Sequence, residues 1–256
     1  MRVMNIQPRK ILFLLLQFIF ITNVNCGRND PETINNPTVQ SLQPIAVYNL
    51  DIPEPSGIAY NSKKNSLFVV SDGRTDIYEI DFTGLKKGTI PTTSSDLEGI
   101  TLSANCDTIY VVEETNQLVV SYLATGIRLT SFPVNVATNP SHALEGITRN
   151  NLNGHLIILN EKFPCTLLEF NNTSEIRRKE INYTIDISDI FYEQSTNLFW
   201  IVSHESQKIL KLTSDFNLVS EWTIPIIQAE GITIIQDKIY IVSDVESKMY
   251  VFQKPV

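Results

Sequence analysis

Residues 97–101 read LEGIT, residues 144–148 read LEGIT again, and residues 229–233 read AEGIT. Two weaker copies, PSGIA at 55–59 and ISDIF at 187–191, complete a series whose central isoleucines lie 42, 47, 43 and 42 residues apart. Self-similarity at a nearly constant spacing of this size is the sequence signature of a repeat architecture. The chain of 256 residues therefore contains five repeats of one structural unit.

Each copy is followed by a polar turn and two further short apolar segments. The second segments are Leu67–Val70, Ile109–Val112, Leu156–Leu159, Leu198–Val202 and Ile239–Val242, and the third are Asp76–Ile80, Gln117–Tyr122, Thr166–Phe170, Lys208–Leu212 and Lys248–Phe252. These segments are rich in β-branched and aromatic residues and show no helical periodicity, so they are predicted to be strands. Three strands and a weaker fourth in each repeat are typical of a propeller blade.

The fifth repeat has no fourth strand, because its third strand is followed almost at once by Val256. Ile45–Ile52 precedes the first repeat and has no other partner, so we expect it to complete the last blade and close the ring. The sequence thus predicts an all-β, five-bladed β-propeller over residues 44–256. A β-sandwich is the competing architecture, but its strands would not recur with a fixed signature.

The N-terminal 26 residues are typical of an export signal. Basic residues precede the apolar stretch ILFLLLQFIFI at 11–21, which is too short to span a bilayer comfortably, and a polar segment then leads to Cys26. This arrangement resembles a bacterial lipoprotein signal in which Cys26 is lipidated, although Asn25 stands where a small residue is usual. An ordinary secretory signal is the alternative. Residues 27–43 are polar and proline-containing, and we expect a flexible tether.

Two cysteines remain after Cys26, and export would permit a disulfide between them. In the repeat register, Cys106 follows the first strand of one unit and Cys165 follows the second strand of the next. Those loops lie at opposite ends of antiparallel blades, whereas the two Cα atoms of a disulfide lie within about 7 Å of each other. We expect both thiols to be unpaired.

Three glutamates, Glu98, Glu145 and Glu230, occupy the same repeat position at the start of an innermost strand. In a propeller these starts gather at one mouth of the central channel. Clustered carboxylates raise one another's pKa or require a cation, and an all-oxygen set suits Ca²⁺ before Mg²⁺. The alternative is that each glutamate accepts backbone N–H groups from the neighbouring blade and holds the ring together without a metal.

The second strands also end in polar residues at equivalent places. These are Asp72, Glu114, Glu161, His204 and Asp244. We expect them to form a second candidate ring at the opposite face, although polar residues at a strand end are often turn formers. No Ser–His–Asp arrangement, glycine-rich phosphate loop or His-Glu-x-x-His motif is found, so no catalytic residue is predicted.

The run PSGIAYNSKKNSLFVVSDGRTDIYEID at 55–81, followed by LEGIT, LEGIT and AEGIT, resembles the SdiA-regulated family of bacterial envelope proteins and, more distantly, NHL-type propellers. The similarity covers about Ile45 to Phe252. It implies a five-bladed propeller with a bound calcium ion and no established activity. The calcium site carries over to Glu98, Glu145 and Glu230. Ser56 and Ser188-Asp189 depart from the motif, so one asymmetric ion site is expected, with Asp189 as a further ligand.

Two functions follow from these expectations. The first is a monomeric, calcium-stabilised, non-enzymatic platform on the cell envelope, held to the membrane only by its lipid anchor and binding a protein or glycan on one propeller face. The second is a calcium-dependent hydrolase of esters, lactones or phosphate esters, which rests on analogy of fold. The formal net charge of −8 argues against nucleic acid as a partner.

Overall fold

The computed structural model describes residues 39–136 and 142–256. Their 21 strands form five separate sheets, and no helix in these two ranges is long and apolar enough to cross a membrane. The predicted signal peptide, Cys26 and residues 27–38 of the predicted tether lie outside the described residues.

The strands fall into five blades that follow the chain. Two strands, β1 (Gln40–Ser41) and β2 (Pro44–Asn49), precede the first complete blade. Blade 1 contains β3 (Pro55–Asn61), β4 (Ser66–Ser71), β5 (Ile77–Ile80) and β6 (Lys86–Ile90). Blade 2 contains β7 (Leu97–Leu102), β8 (Thr108–Glu113), β9 (Leu118–Leu123) and β10 (Arg128–Pro133). Blade 3 contains β11 (Leu144–Arg149), β12 (Leu156–Asn160), β13 (Thr166–Asn171) and β14 (Ser174–Glu180). Blade 4 contains β15 (Asp189–Glu193), β16 (Leu198–Ser203), β17 (Lys208–Leu212) and β18 (Leu218–Thr223). Blade 5 contains β19 (Ala229–Ile235), β20 (Lys238–Ser243) and β21 (Lys248–Gln253), with β2 as its outer strand.

The N-terminal strand closes the ring as predicted. Strand β2 pairs antiparallel with β21, with Val47 opposite Tyr250. The preceding strand, β1, pairs parallel with β18, and the Leu42 N–H donates to the Thr223 carbonyl at 2.9 Å. Because Leu42 is also buried among apolar residues of blades 4 and 5, the propeller sheets begin before the predicted boundary at residue 44.

The apolar core is divided among the gaps between blades. Five clusters of buried side chains each join two adjacent blades. The cluster that completes the circle lies between blades 1 and 5. In it, Ile52, which precedes blade 1, and Ile58, which lies in β3, pack against Val242 and Val251 of blade 5. Alternate side chains of each strand point to opposite faces of the blade, so every blade contributes to two gaps. This arrangement confirms the five-bladed propeller and excludes the sandwich.

The five inner strands, β3, β7, β11, β15 and β19, contact one another in a closed cycle. The glycine of the repeated motif permits this close approach. A Cβ atom on Gly57 would lie 2.6 Å from the Glu98 carbonyl oxygen, and one on Gly99 would lie 2.5 Å from the Glu145 carbonyl oxygen. The motif glycine is therefore a packing requirement of the channel.

Cys106 and Cys165 are both buried free thiols. Cys106 lies between β7 and β8, and Cys165 lies between β12 and β13, so the two loops are at opposite ends of their blades.

Replacement of a motif glycine by alanine is expected to destabilise the propeller. In Gly99→Ala the new methyl group meets backbone that cannot move without displacing blade 3, so the free energy of unfolding should fall by about 1–3 kcal/mol. The matched control is Gly88→Ala in outer strand β6, where the nearest atom to an added Cβ is 4.0 Å away. Denaturant unfolding followed by circular dichroism measures both, and equal midpoints would contradict the packing role.

Candidate functional site

The inner strands of four blades begin with an irregularity in register. It lies between Leu97 and Ile100 in blade 2 and between Leu144 and Ile147 in blade 3, and blades 1 and 5 have its counterpart. Such a bulge re-aims a side chain at the point where it occurs. In blades 2, 3 and 5 the irregular segment contains the motif glutamate.

Glu98, Glu145 and Glu230 stand at the starts of inner strands of blades 2, 3 and 5, close enough for their charges to affect one another. Burial raises the pKa of Glu145 well above its usual range, and the charges of Glu98 and Glu230 raise it further. Burial likewise raises the pKa of Glu98, and Asp72, Glu114 and Glu230 add to the increase. Carboxyl groups in this state either keep their protons near neutral pH or share a cation.

The residues that end the second strands line the same mouth, so their predicted placement at the opposite face was wrong. In an antiparallel hairpin the end of the second strand lies beside the start of the first. The Glu114 N–H donates to the Asp96 carbonyl at 3.1 Å, next to the blade 2 motif. His204 Nδ1 lies 3.3 Å from Glu230 Oε1. The two predicted rings therefore form one site, called here the acidic mouth, whose members are Asp72, Asp96, Glu98, Glu114, Glu145, Glu161, Asp186, His204, Glu230 and Asp244.

Sequence reasoning missed Asp96 and Asp186, which each stand one position before the repeated motif. Extending the alignment by that one position would have found both, together with Glu54 in the first repeat. Asp96 Oδ2 accepts the Thr115 N–H at 2.6 Å. Asp186 is fully buried, and its carboxylate accepts hydrogen bonds from the His204 N–H at 2.9 Å and from the Ser203 hydroxyl.

The half of the mouth next to blades 1 and 2 has no compensating cation among the residues that the structure describes. Asp72, Asp96 and Glu98 each place one carboxylate oxygen within 4.8 Å of the others. Within residues 39–136 and 142–256, none of the three is paired with lysine, arginine or histidine. Although Asp72 is exposed on its outer side, partial burial raises its pKa to about 6, helped by a hydrogen bond with Asp96 and by neighbouring charges. Burial raises the pKa of Glu114 to about 7.

The half next to blades 3 and 4 is different, because cations of the protein lie within it. Glu161, Asp186 and His204 also place one atom each within 4.8 Å of one another. Lys162 Nζ lies 2.7 Å from Glu161 Oε1, and His142 Nδ1 lies 3.2 Å from Glu161 Oε2. A hydrogen bond to Glu230 raises the pKa of His204, which favours its charged form. Lys162 and His204 therefore offset part of the negative charge of this half.

Asp189 stands at the glycine position of the blade 4 motif and joins blades. It is 1% exposed, and its Oδ2 accepts the Ile232 N–H of blade 5 at 2.9 Å. The Ile147 and Ile190 amides also favour its ionised form, but burial dominates and raises its pKa well above the usual range. Asp189 thus plays the inter-blade role considered for the glutamates. In the described part of the chain, no motif glutamate accepts a backbone N–H.

The two serines that replace motif glutamates make local contacts. The Ser56 hydroxyl donates to the Leu97 carbonyl of blade 2, and Ser188 Oγ lies 3.5 Å from His204 Nδ1. The motif carboxylates consequently come from blades 2, 3 and 5, and the site lacks fivefold symmetry.

The fold and this mouth define the class of protein: a five-bladed β-propeller whose channel opens through a cluster of carboxylates. A sequence model of the SdiA-regulated family matches residues 42–253, so the chain belongs to the SdiA-regulated family. A search of curated protein sequences gave no match.

Solved structures of other propellers are similar at the level of the fold. A streptogramin B lyase superimposes with a TM-score of 0.50 and 17% identity, covering 82% of this chain and 73% of the lyase. A catalytically inactive virginiamycin B lyase from Staphylococcus aureus, solved with quinupristin, has a TM-score of 0.50 and 19% identity, covering 78% of this chain and 66% of the lyase. At these identities the likeness shows the propeller fold alone.

The raised pKa values in the acidic mouth predict that the melting temperature, measured in chelator, falls as the pH rises. A carboxyl group whose pKa is raised by folding stabilises the folded state below its unfolded pKa, near 4, and this contribution is lost as the pH rises through the folded value. With Asp72 at about 6 and Glu114 at about 7, the melting temperature should fall between pH 5.5 and pH 7.5. His204, whose pKa is also raised, contributes with the same sign.

Thermal melts in chelator across this range test the prediction. The variant Asp72→Asn/Glu114→Gln removes the two titrating carboxyl groups and keeps His204. Its melting temperature should therefore vary less with pH than that of the unaltered protein. A melting temperature that stays constant or rises with pH in the unaltered protein would show that the carboxylates are not held in their acid form.

Proposed function

We propose that this SdiA-regulated propeller is a calcium-binding, non-enzymatic binding module of the cell envelope. The observation that carries the proposal is the cluster of Asp72, Asp96 and Glu98 in the half of the mouth that has no cation among the described residues. The charge of Glu230 also raises the pKa of Glu98, and the charges of Glu98 and Glu230 raise that of Glu145. A divalent ion there would offset repulsion that the chain does not offset by itself.

The donor set fits calcium. Every side chain in this half offers carboxylate oxygens, and Ca²⁺ accepts six to eight oxygens in flexible geometry, whereas Mg²⁺ demands a near-ideal octahedron. Asp244 Oδ1, which belongs to this mouth, is buried without a hydrogen-bond partner in the described structure, and this supports an unmet need for positive charge there. Glu98 would hold the ion together with Asp72 and Asp96, and Glu145 and Glu230 would approach it from blades 3 and 5.

A bound ion would tie the inner strands of blades 2, 3 and 5 together. It would do so where the strands approach most closely, so its main effect would be on stability. The rim beyond it offers a surface for a protein or glycan. Phe163, in the loop between β12 and β13, is 70% exposed, and its ring centroid lies 6.2 Å from that of His142. Exposed aromatic rings are common anchors for such ligands.

The placement at the envelope rests on the N-terminal sequence. An export signal and a lipid anchor at Cys26 would hold a monomeric propeller at the membrane surface. The net charge of −8 would disfavour direct contact with anionic lipid.

Calcium is expected to raise the melting temperature of the full-length protein. With free calcium at about 100 times Kd, binding stabilises the folded state by about 2.7 kcal/mol. For a domain of this size, that corresponds to a shift of roughly 5–10 °C. Magnesium should give a smaller shift, and the triple variant Glu98→Gln/Glu145→Gln/Glu230→Gln should give none.

The exposed Asp237→Asn, in the turn between β19 and β20, is the matched control, because it removes a carboxylate at the end of blade 5 opposite the mouth and should leave the calcium response unchanged. The triple variant should also melt higher than the unaltered protein in chelator, since it removes the repulsion. Equal melting of the unaltered protein with calcium and with chelator would refute the ion site.

A calcium-dependent hydrolase is the second candidate, and the observation that favours it is Glu114. A carboxyl group with a pKa of about 7 is half ionised near neutrality and suits proton transfer. Under the binding-module proposal, we expect no metal-dependent turnover of a panel of aryl esters, lactones and phosphate esters. Turnover that needs calcium and is abolished in a folded Glu145→Gln variant would establish the hydrolase instead.

A further inference from the structure

A cavity of about 320 Å³ lies at the end of the channel opposite the acidic mouth. All five inner strands contribute to its wall, together with the loops that follow β7 and β11. Its lining includes one motif isoleucine from each blade, namely Ile58, Ile100, Ile147, Ile190 and Ile232. The two ends of the channel thus differ in chemistry, because one end is lined by carboxylates and the other by apolar groups, neutral polar groups and one arginine.

Arg149, the last residue of β11, is the one charged side chain among the described residues that line this cavity. It is half-buried, and its Nη1 donates to Asn151 Oδ1 at 2.6 Å. No carboxylate among residues 39–136 and 142–256 pairs with it. The arginines of strand β14 behave differently, since Arg177 Nη2 lies 2.7 Å from Glu169 Oε2 and Arg178 Nη2 lies 2.7 Å from Glu175 Oε2.

The turn beside Arg149 accommodates the guanidinium. Gly154 has a φ of +83°, and a Cβ atom there would lie 3.1 Å from Arg149 Nη2. A side chain at position 154 would therefore be strained and would crowd the guanidinium. Asn151, whose amide oxygen accepts from Arg149, also lines the cavity, so the cation is held by neutral partners at the wall.

We propose that this cavity binds a small organic monocarboxylate, with its carboxylate on Arg149 and its apolar part against the isoleucines. A partly buried cation without a counter-ion is unfavourable, and a carboxylate matches the guanidinium with two parallel hydrogen bonds. One arginine balances one negative charge, and a dianion such as phosphate would leave excess charge in a protein whose net charge is already −8. The volume lies in the range of small-molecule sites, which is about 300–1,000 Å³.

This site is independent of the calcium proposal. The carboxylates of the acidic mouth lie at the starts of the inner strands, whereas Arg149 lies at the end of one. A failure of either proposal therefore leaves the other standing.

Methyl NMR tests the inference directly, because the motif isoleucines line the cavity. Full-length protein labelled at isoleucine δ1 methyl groups is titrated with hexanoate, 1-hexanol and inorganic phosphate. Hexanoate should shift the methyl resonances of Ile100, Ile147 and Ile232, while those of Ile77 and Ile209, buried away from the cavity, stay in place. Phosphate should shift none of them, and 1-hexanol should bind at least about tenfold more weakly than hexanoate, because it cannot form the charged pair.

Two variants test the contribution of the charge and that of the cavity separately. Arg149→Gln should weaken hexanoate about tenfold or more and leave 1-hexanol unchanged, whereas the control Arg178→Gln should change neither. Ala104→Trp, at an exposed position of the cavity wall, should block hexanoate without touching the core. The proposal is overturned if millimolar hexanoate moves no motif isoleucine, if Arg149→Gln binds it as tightly as the unaltered protein, or if phosphate produces the same shifts.

Discussion

The close approach of five backbones around one axis is the constraint on which the rest of this structure depends. The motif glycines permit it, since a methyl group at Gly57 or Gly99 would lie within 2.6 Å of a neighbouring carbonyl oxygen. The same approach brings the preceding residue of each motif to the axis. Three of those residues are glutamates, so the packing that closes the ring also concentrates negative charge in a place with little solvent to screen it.

This negative charge is offset by cationic side chains to different extents on the two sides of the mouth. Near blades 3 and 4, Lys162 and His204 lie among the carboxylates, and they offset part of the repulsion. Near blades 1 and 2, Asp72, Asp96 and Glu98 share a small volume with no such partner in the described structure. The fold provides five equivalent positions, but the residues at these positions differ between repeats. The site is therefore asymmetric.

Asp189 shows how such variation can also reinforce the ring. In a glycine position it brings a carboxylate to the axis, where it accepts the Ile232 N–H of the next blade. Its neighbour in the preceding blade is Gly146, and a Cβ there would lie 2.7 Å from Asp189 Oδ1. The larger side chain in one blade is accommodated by the glycine of another, so these two positions depend on each other.

The sequence by itself determined the repeat, the order of strands, the closing strand and the three motif glutamates at one mouth. These follow from short-range patterns: alternation within a strand, turns between strands and a spacing that recurs. The second-strand ends lie beside the motif because of antiparallel pairing, a local rule, so the predicted opposite face was wrong although the sequence contains the information to place them. Only the tertiary structure decided that Leu42 belongs to the core, that Lys162 offsets one half of the mouth, and that Arg149 has no acidic partner among the described residues. Each of these depends on which side chains from different strands or blades come within a few ångströms of one another, and no local pattern in the chain encodes that distance.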